Sequence, residues 1–436
     1  MNILLKNIGI ITGEINNPHI EEGFVGIKDG IIEFVCSVDE IQPEFKAQKI
    51  IDGKNKLVMP GLINTHTHSS MTIMRNYAND LPLQEWLFNN IFPVEARLTG
   101  EDIYWGAMLG IAEMIKTGTT TFTDMYLDMN EVARAVKQSG IRANLSISPI
   151  KFNAGEDNKV IDEVDKVYDF YNNWHNENNG MIIVTLEVHS TYLFNREWLE
   201  KSAQIAKDLG IGIQIHIQET KRELLESLEK HGITPSRMCL ETGIFDVPVI
   251  AAHCVHLTDE DMDILKAKNV SVAHNPTSNL KLGSGIAPIS GLLERGINVT
   301  IGTDGAASNN NLNMFEEMHI AALLHKGYKN EPALLSAREA IAMATSNGAD
   351  ANGLKGVTGA IKKGMKADLI IIDMDKPHLC PVNDPVAAVV YSVQGSDVET
   401  SIIDGKIVME NRVLTTIDEE LVMGKVREIA KRLISK

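Results

Sequence analysis

The sequence predicts an α/β protein: a closed (β/α)8 barrel joined to a small β-sandwich built from both chain termini. Three observations carry this. The chain has 436 residues, 44% of them hydrophobic, which suits a large barrel with an accessory domain and excludes a disordered chain. Apolar runs alternate with amphipathic stretches through the middle of the chain, as in successive βα units. The two ends are instead rich in β-branched residues broken by turn signals.

Residues 2–12, 23–28, 31–37 and 48–52 read as short strands, separated by turns such as Lys28-Asp29-Gly30 and Asp52-Gly53-Lys54. Strand candidates then recur at 57–65, 119–124, 141–148, 181–188, 211–216, 248–253, 270–274 and 297–303. Helix candidates lie between them at 101–116, 129–139, 159–173, 196–209, 220–231, 259–268 and 286–295. A doubly wound open sheet is the alternative fold, but no GxGxxG turn follows the first of these strands. After helices near 313–327 and 336–349, strand patterns return at 366–373 and 400–409, with Asp404-Gly405-Lys406 as a hairpin turn. The expected domains are residues 1–56 and 363–436, which share the sandwich and end in a helix, and the barrel at 57–362.

Lys and Arg total 41 against 58 Asp and Glu, a net charge of −17. Phosphate polymers and anionic membranes would be repelled, so neither is expected as a partner. No apolar run approaches the ~18–20 residues that span a bilayer, and no signal-type segment opens the chain. Cys36, Cys239, Cys254 and Cys380 are scattered without a CxxC. A cytoplasmic protein with reduced thiols is expected.

Four strand ends carry candidate chemistry. His66 and His68 end the first barrel strand; residues two apart on a strand face the same way, so both imidazoles can meet one cation. His216 ends the fifth strand, with Glu219 just beyond it as a candidate general acid and base. His253 ends the sixth, with His256 set aside as structural and Cys254 as a buried small residue. Asp304 follows the eighth strand, where an Asp-Gly turn is the ordinary explanation and a metal-binding carboxylate the one its company favours. The C-terminal strand ends are where such barrels place their sites. His66, His68, His216 and Asp304 offer three nitrogens and one oxygen, which suits zinc or another borderline divalent ion with an open position for water.

These segments resemble the amidohydrolase superfamily, and within it the 5′-methylthioadenosine/S-adenosylhomocysteine deaminases. The resemblance runs over nearly the whole chain. It rests on Pro60-Gly-Leu-Ile-Asn-Thr-His-Thr-His68, Leu81-Pro-Leu-Gln-Glu-Trp86, Phe92-Pro-Val-Glu95 and His216-Ile-Gln-Glu219. It rests also on Ala252-His-Cys-Val-His-Leu257, the stretch from His274 to Pro288, Gly302-Thr-Asp-Gly305 and Gly364-Met-Lys-Ala-Asp-Leu-Ile. It implies a TIM-like metal-dependent hydrolase barrel with one divalent metal per subunit on the four groups above. Zinc is expected, with iron, nickel or manganese as alternatives. It implies that Glu219 shuttles a proton to the substrate ring, and that His253 and Asp304 help deprotonate the attacking water. Trp86 would wall the base pocket, Glu95 hold the ribose hydroxyls and His189 contact the substrate, with Glu219 and Asp304 also lining that space. Without the resemblance, Trp86 reads as a helix core residue and Glu95 as a solvated charge.

Two features depart from the family pattern or leave it open. An arginine is common beyond the third strand, and here Ser146–Asn153 carries only Lys151. Glu187 shares a face with His189, so a bridging carboxylate and a two-metal site stay open on position alone. The implied reaction is hydrolytic deamination of an adenine nucleoside (5′-methylthioadenosine, S-adenosylhomocysteine, 5′-deoxyadenosine or adenosine) to its inosine analogue. The alternatives are hydrolysis of a guanine- or triazine-like ring or a cyclic amide, and a non-catalytic scaffold. A neutral or zwitterionic nucleoside fits the −17 charge. A homodimer or homotetramer is reasonable for the family.

Overall fold

The structure, a computed structural model, describes residues 1–14, 19–40, 44–152 and 160–434. Strands β1 (Ile3–Ile11), β2 (His19–Lys28), β3 (Ile31–Ser37), β4 (Lys49–Asp52) and β5 (Lys56–Pro60) precede the barrel. Its strands begin with β6 (Leu62–Thr67), β7 (Thr119–Met125) and β8 (Arg142–Ile147). A small hairpin of β9 (Ile150–Phe152) and β10 (Val160–Asp162) interrupts them. Then come β11 (Ile182–Ser190), β12 (Ile213–Ile217), β13 (Val249–His253), β14 (Ser271–His274) and β15 (Val299–Ile301). Last are β16 (Leu369–Asp373), β17 (Val398–Ile403), β18 (Lys406–Glu410) and β19 (Val413–Leu414).

The eight barrel strands pair in parallel and in chain order from β6 to β15. Helices cover the outside, so the strands are buried on both faces and read as near-continuous apolar runs. The ring closes between β6 and β15 without a ladder. Thr65 Oγ1 donates to the Ile301 carbonyl (2.9 Å), Asn64 Nδ2 to Thr303 Oγ1 (2.8 Å), and the Asp304 N–H to the His66 carbonyl (2.9 Å). Gly302 makes this approach possible: a Cβ there would lie 2.9 Å from the His66 backbone nitrogen.

The predicted strand 57–65 divides at Gly61. Its first part, β5, pairs with β1 and β16 in the terminal sheet, and only the second enters the barrel. Both chain ends thus join in one accessory unit, a nine-stranded sheet ordered β19-β18-β17-β16-β5-β1-β2-β3, with β4 also on β1. Alternation splits its side chains between two cores. Leu369 and Ile371 of β16 pack with Ile3, Leu5 and Val58, whereas Ile370 and Ile372 pack with Leu57, Met59 and the barrel. Arg142, at the foot of β8, reaches Asp368 just before β16 through Nε (2.8 Å) and Nη2 (3.2 Å), with side chains 2% and 0% exposed.

The helix predicted at 336–349 is two, Ala337–Met343 and Ser346–Ala351, because Thr345 leaves helical geometry while its hydroxyl bonds the Ile341 carbonyl (2.6 Å). The helix predicted from 159 begins at Val164; residue 159 itself lies outside the described residues. The terminal helix Glu419–Ile434 docks on the barrel helix Gly100–Lys116, with Lys116 Nζ 2.8 Å from Glu419. Its Val426, Ile429 and Leu433 pack in one cluster with Trp86, Leu87, Ile91 and Val94. Among the described residues no helix is long and apolar enough to cross a membrane.

Candidate metal centre and substrate pocket

The strand ends converge. His66, on β6, and His68, the residue just after it, converge, and their Nε2 atoms lie 3.5 and 3.2 Å from Asp304 Oδ1. His216 Nε2 is 3.4 Å from His68 Nε2. His68 Nδ1 donates to the Met125 carbonyl, and His216 Nδ1 to that of His189 (2.7 Å). Each such bond puts a proton on Nδ1 and turns Nε2 toward the site. His66 Nε2 is buried with no hydrogen-bond partner among the described residues. Donor atoms of His66, His68 and His216, and of His66, His253 and Asp304, lie within 4.8 Å of one another. Converging nitrogen and oxygen ligand atoms, one of them buried without a partner, fit a divalent cation. Glu187 is in neither group.

Electrostatics follow from burial and proximity. Burial holds His66 down to about 4 against the pull of Asp304. His216 is held well below its ordinary value by burial and then by the neighbouring imidazoles. Burial also opposes the charge on His68, but Asp304 outweighs it and lifts His68 to about 9. For Asp304 burial pushes upward, and its contacts with His66 and His68 win, keeping it well below the usual carboxylate range. His253 and Asp304 sit in left-handed backbone, with φ of 69° and 63°. A histidine rarely adopts that conformation, and such strain gathers at functional sites.

Glu219 is buried, with Oε2 3.8 Å from His253 Nε2, and burial raises its pKa. Glu223, at the third position of helix Lys221–His231, accepts the Glu219 backbone N–H at 2.9 Å. Burial pushes this second acid up from an ordinary 4.5 to about 8. The folded state therefore binds that proton more tightly than the unfolded chain does. The stabilisation is whole below about 4.5 and is lost as pH rises through about 8. Glu223→Gln keeps the acceptor and cannot ionise. Its thermal midpoint is expected to match the parent's at pH 5 and exceed it at pH 8; a parallel pair of pH–melting curves would refute this.

Trp86 is buried in a π-helical turn, Trp86–Ile91, rather than an ordinary amphipathic helix. Its Nε1 has no partner among the described residues. Glu95 ends the next turn, and burial raises its pKa against the pull of the Tyr126 hydroxyl. The His189 ring lies 4.8 Å from that of His216, and its pKa is pushed down to about 3 by burial and then by the His68 charge. Burial pushes Glu187 up to about 8. Lys151 is exposed on β9, and Asn153 of its stretch lies outside the described residues. Cys36, Cys239 and Cys254 are free and buried, and Cys380 is free and exposed.

Sequence reasoning missed several groups. Asp124 ends β7 and accepts from Thr67 Oγ1, the Ser69 N–H and Ser69 Oγ, each at 2.7 Å. It thereby fixes the turn after His68. An acid at a strand end was the signal that selected Asp304, and it would have selected Asp124 too. Tyr126, with its ring 6.3 Å from His68, carried no such signal.

The amidohydrolase family model matches residues 57–408. The chain is 60% identical over 434 residues to a 5-methylthioadenosine/S-adenosylhomocysteine deaminase of Acetivibrio thermocellus, covering 100% of both chains. Among solved structures, it resembles a zinc-bound adenosine deaminase from Xanthomonas campestris, with TM-score 0.94, 29% identity and coverage of 100% and 99%. A triazine hydrolase from Arthrobacter aurescens matches with TM-score 0.91, 25% identity and coverage of 98% and 99%. With the barrel, its paired terminal segments and this match over most of its length, the chain belongs to the amidohydrolase family.

Proposed function

We propose that this protein is a metal-dependent aminohydrolase that converts the 6-amino group of adenine nucleosides to an oxo group with release of ammonia. The observation that carries the reading is a buried Glu219, 3.8 Å from His253, next to two donor groups that share His66: His66 with His68 and His216, and His66 with His253 and Asp304. Full-length identity of 60% to a deaminase of methylthioadenosine and S-adenosylhomocysteine supports the substrate class. A zinc ion on these four groups would supply Lewis acidity and lower the pKa of a water beside it.

The chain's own groups do the remaining work. His253 and Asp304 stand where they can draw a proton from the attacking water. Glu219 passes a proton to N1, which relieves negative charge as C6 becomes tetrahedral. The other water proton, drawn off by His253 and Asp304, passes to the amine, which leaves as ammonia as the C6–O double bond forms. Trp86 stacks against the base, Glu95 accepts the ribose hydroxyls, and His189 contacts the substrate from β11. Buried walls exclude bulk water and hold the reacting atoms in line. The cell interior is the expected location and a homodimer or homotetramer the expected assembly.

The test is a panel of 5′-methylthioadenosine, S-adenosylhomocysteine, 5′-deoxyadenosine and adenosine given to zinc-loaded protein, read by ultraviolet absorbance and ammonia release. At least one is expected to turn over. If none does, the reading fails. Adding guanine and an aminotriazine to the panel tests the second reading, which the triazine hydrolase likeness supports.

A further inference from the structure

The stretch from His274 to Pro288 provides none of the metal or substrate groups named above, yet it reaches three of them. We propose that the single segment Asn275–Gly285 positions all three proton-transferring groups together: Ser278 holds Asp304, Asn279 holds His253, and Ser284 holds Glu219. This rests on the deaminase reading above. Ser278 Oγ donates to Asp304 Oδ2 at 2.6 Å, His253 Nδ1 donates to Asn279 Oδ1 at 2.8 Å, and Ser284 Oγ donates to Glu219 Oε1 at 3.1 Å. The three acceptors or donors they meet come from the ends of three separate strands, β15, β13 and β12, so no local backbone geometry fixes their spacing.

The segment is itself held firmly. It begins with Pro276 in the first turn of the short helix Pro276–Lys281. The Leu282 N–H bonds the Ser278 carbonyl (2.9 Å), and the Ser284 N–H bonds that of Asn279 (2.9 Å). His256 Nε2 donates to the Ser284 carbonyl at 2.7 Å, which gives the histidine set aside as structural a definite task. Ser278, Asn279 and Ser284 are all buried.

Each contact has a chemical consequence. Ser278, with Ser308 Oγ at 2.9 Å, occupies Asp304 Oδ2 and leaves Oδ1 to face His66 and His68. Asn279 keeps the proton of His253 on Nδ1, so Nε2 turns a lone pair toward Glu219 and the attacking water. Ser284 ties one carboxylate oxygen of Glu219 and leaves Oε2 for proton transfer. Ser278, Asn279 and Ser284 are therefore positioning residues.

The test uses full-length, zinc-loaded enzyme. Ser278→Ala, Asn279→Ala and Ser284→Ala should each lower kcat about tenfold or more while KM stays within about twofold. Ser278→Thr and Ser284→Thr, which keep the hydroxyl, should recover most of kcat. Ser278→Ala combined with Asn279→Ala should lose less than the product of the single losses, because both act through one segment. Zinc loss to a chelator should quicken severalfold in Ser278→Ala and stay at the parent rate in Ser284→Ala. Parent-like kcat in the alanine variants of an active parent overturns the proposal and leaves the deaminase reading standing. So does a loss that the threonine variants fail to recover. An inactive parent ends the deaminase reading instead, and the proposal then falls if Ser278→Ala and the parent release zinc equally fast.

Discussion

Glu219→Gln is expected to lower kcat about 10³-fold, roughly 4 kcal/mol of barrier, with bound metal and fold retained. Glutamine fills the same space and still accepts the Ser284 hydroxyl, now 3.1 Å from Glu219 Oε1. It cannot take a proton from water and deliver it to N1. Burial of Glu219 disfavours its charged form, so the neutral amide should leave the thermal midpoint unchanged or slightly raised. KM should change little, because the loss falls on a group whose interaction with the ring strengthens as the proton moves. Steady-state kinetics with metal analysis of the same sample decides it. A variant within tenfold of the parent's kcat would show that the proton travels by another route.

The largest expected effect on stability is at Asp368. Asp368→Ala leaves the buried Arg142 guanidinium without its ion-pair partner, at a site where both side chains are 2% exposed or less. Removing one partner of such a pair costs about 3–5 kcal/mol. The Asp404 N–H, which donates to Asp368 Oδ1 at 2.7 Å, loses its acceptor as well. Asp368→Ala should melt several degrees below the parent. Combining Arg142→Met with Asp368→Leu, which removes both charges and keeps the volume, should recover most of that loss. Calorimetry of the three proteins tests this, and an unchanged midpoint in Asp368→Ala would sink it.

The strand-end candidates were legible because strand parity and strand ends are local properties. His66 and His68 follow from their spacing together with their place at the end of the first barrel strand, and His216, His253 and Asp304 from sitting where apolar runs stop. Trp86 and Glu95 were not legible in that way. They lie in short turns whose burial depends on the terminal helix packing behind them, a contact that joins distant parts of the chain. Only the family resemblance singled them out. Periodicity likewise ran 57–65 together as one strand. Its division at Gly61 reflects which sheet each half joins, and that is settled by residues 369–373 on one side and 119–125 on the other.

The sheet assembled from both ends also sets an order of events during synthesis. Strand β5 lies between β1 and β16, and β16 is made only after all eight barrel strands. Until then one edge of the N-terminal strands has no partner, and Val58 faces a core that still lacks Leu369, Ile371 and Ile402. An unpaired, apolar strand edge is a template for intermolecular pairing. Chains truncated before residue 369 should therefore aggregate through their first strands, even where the barrel segment is complete.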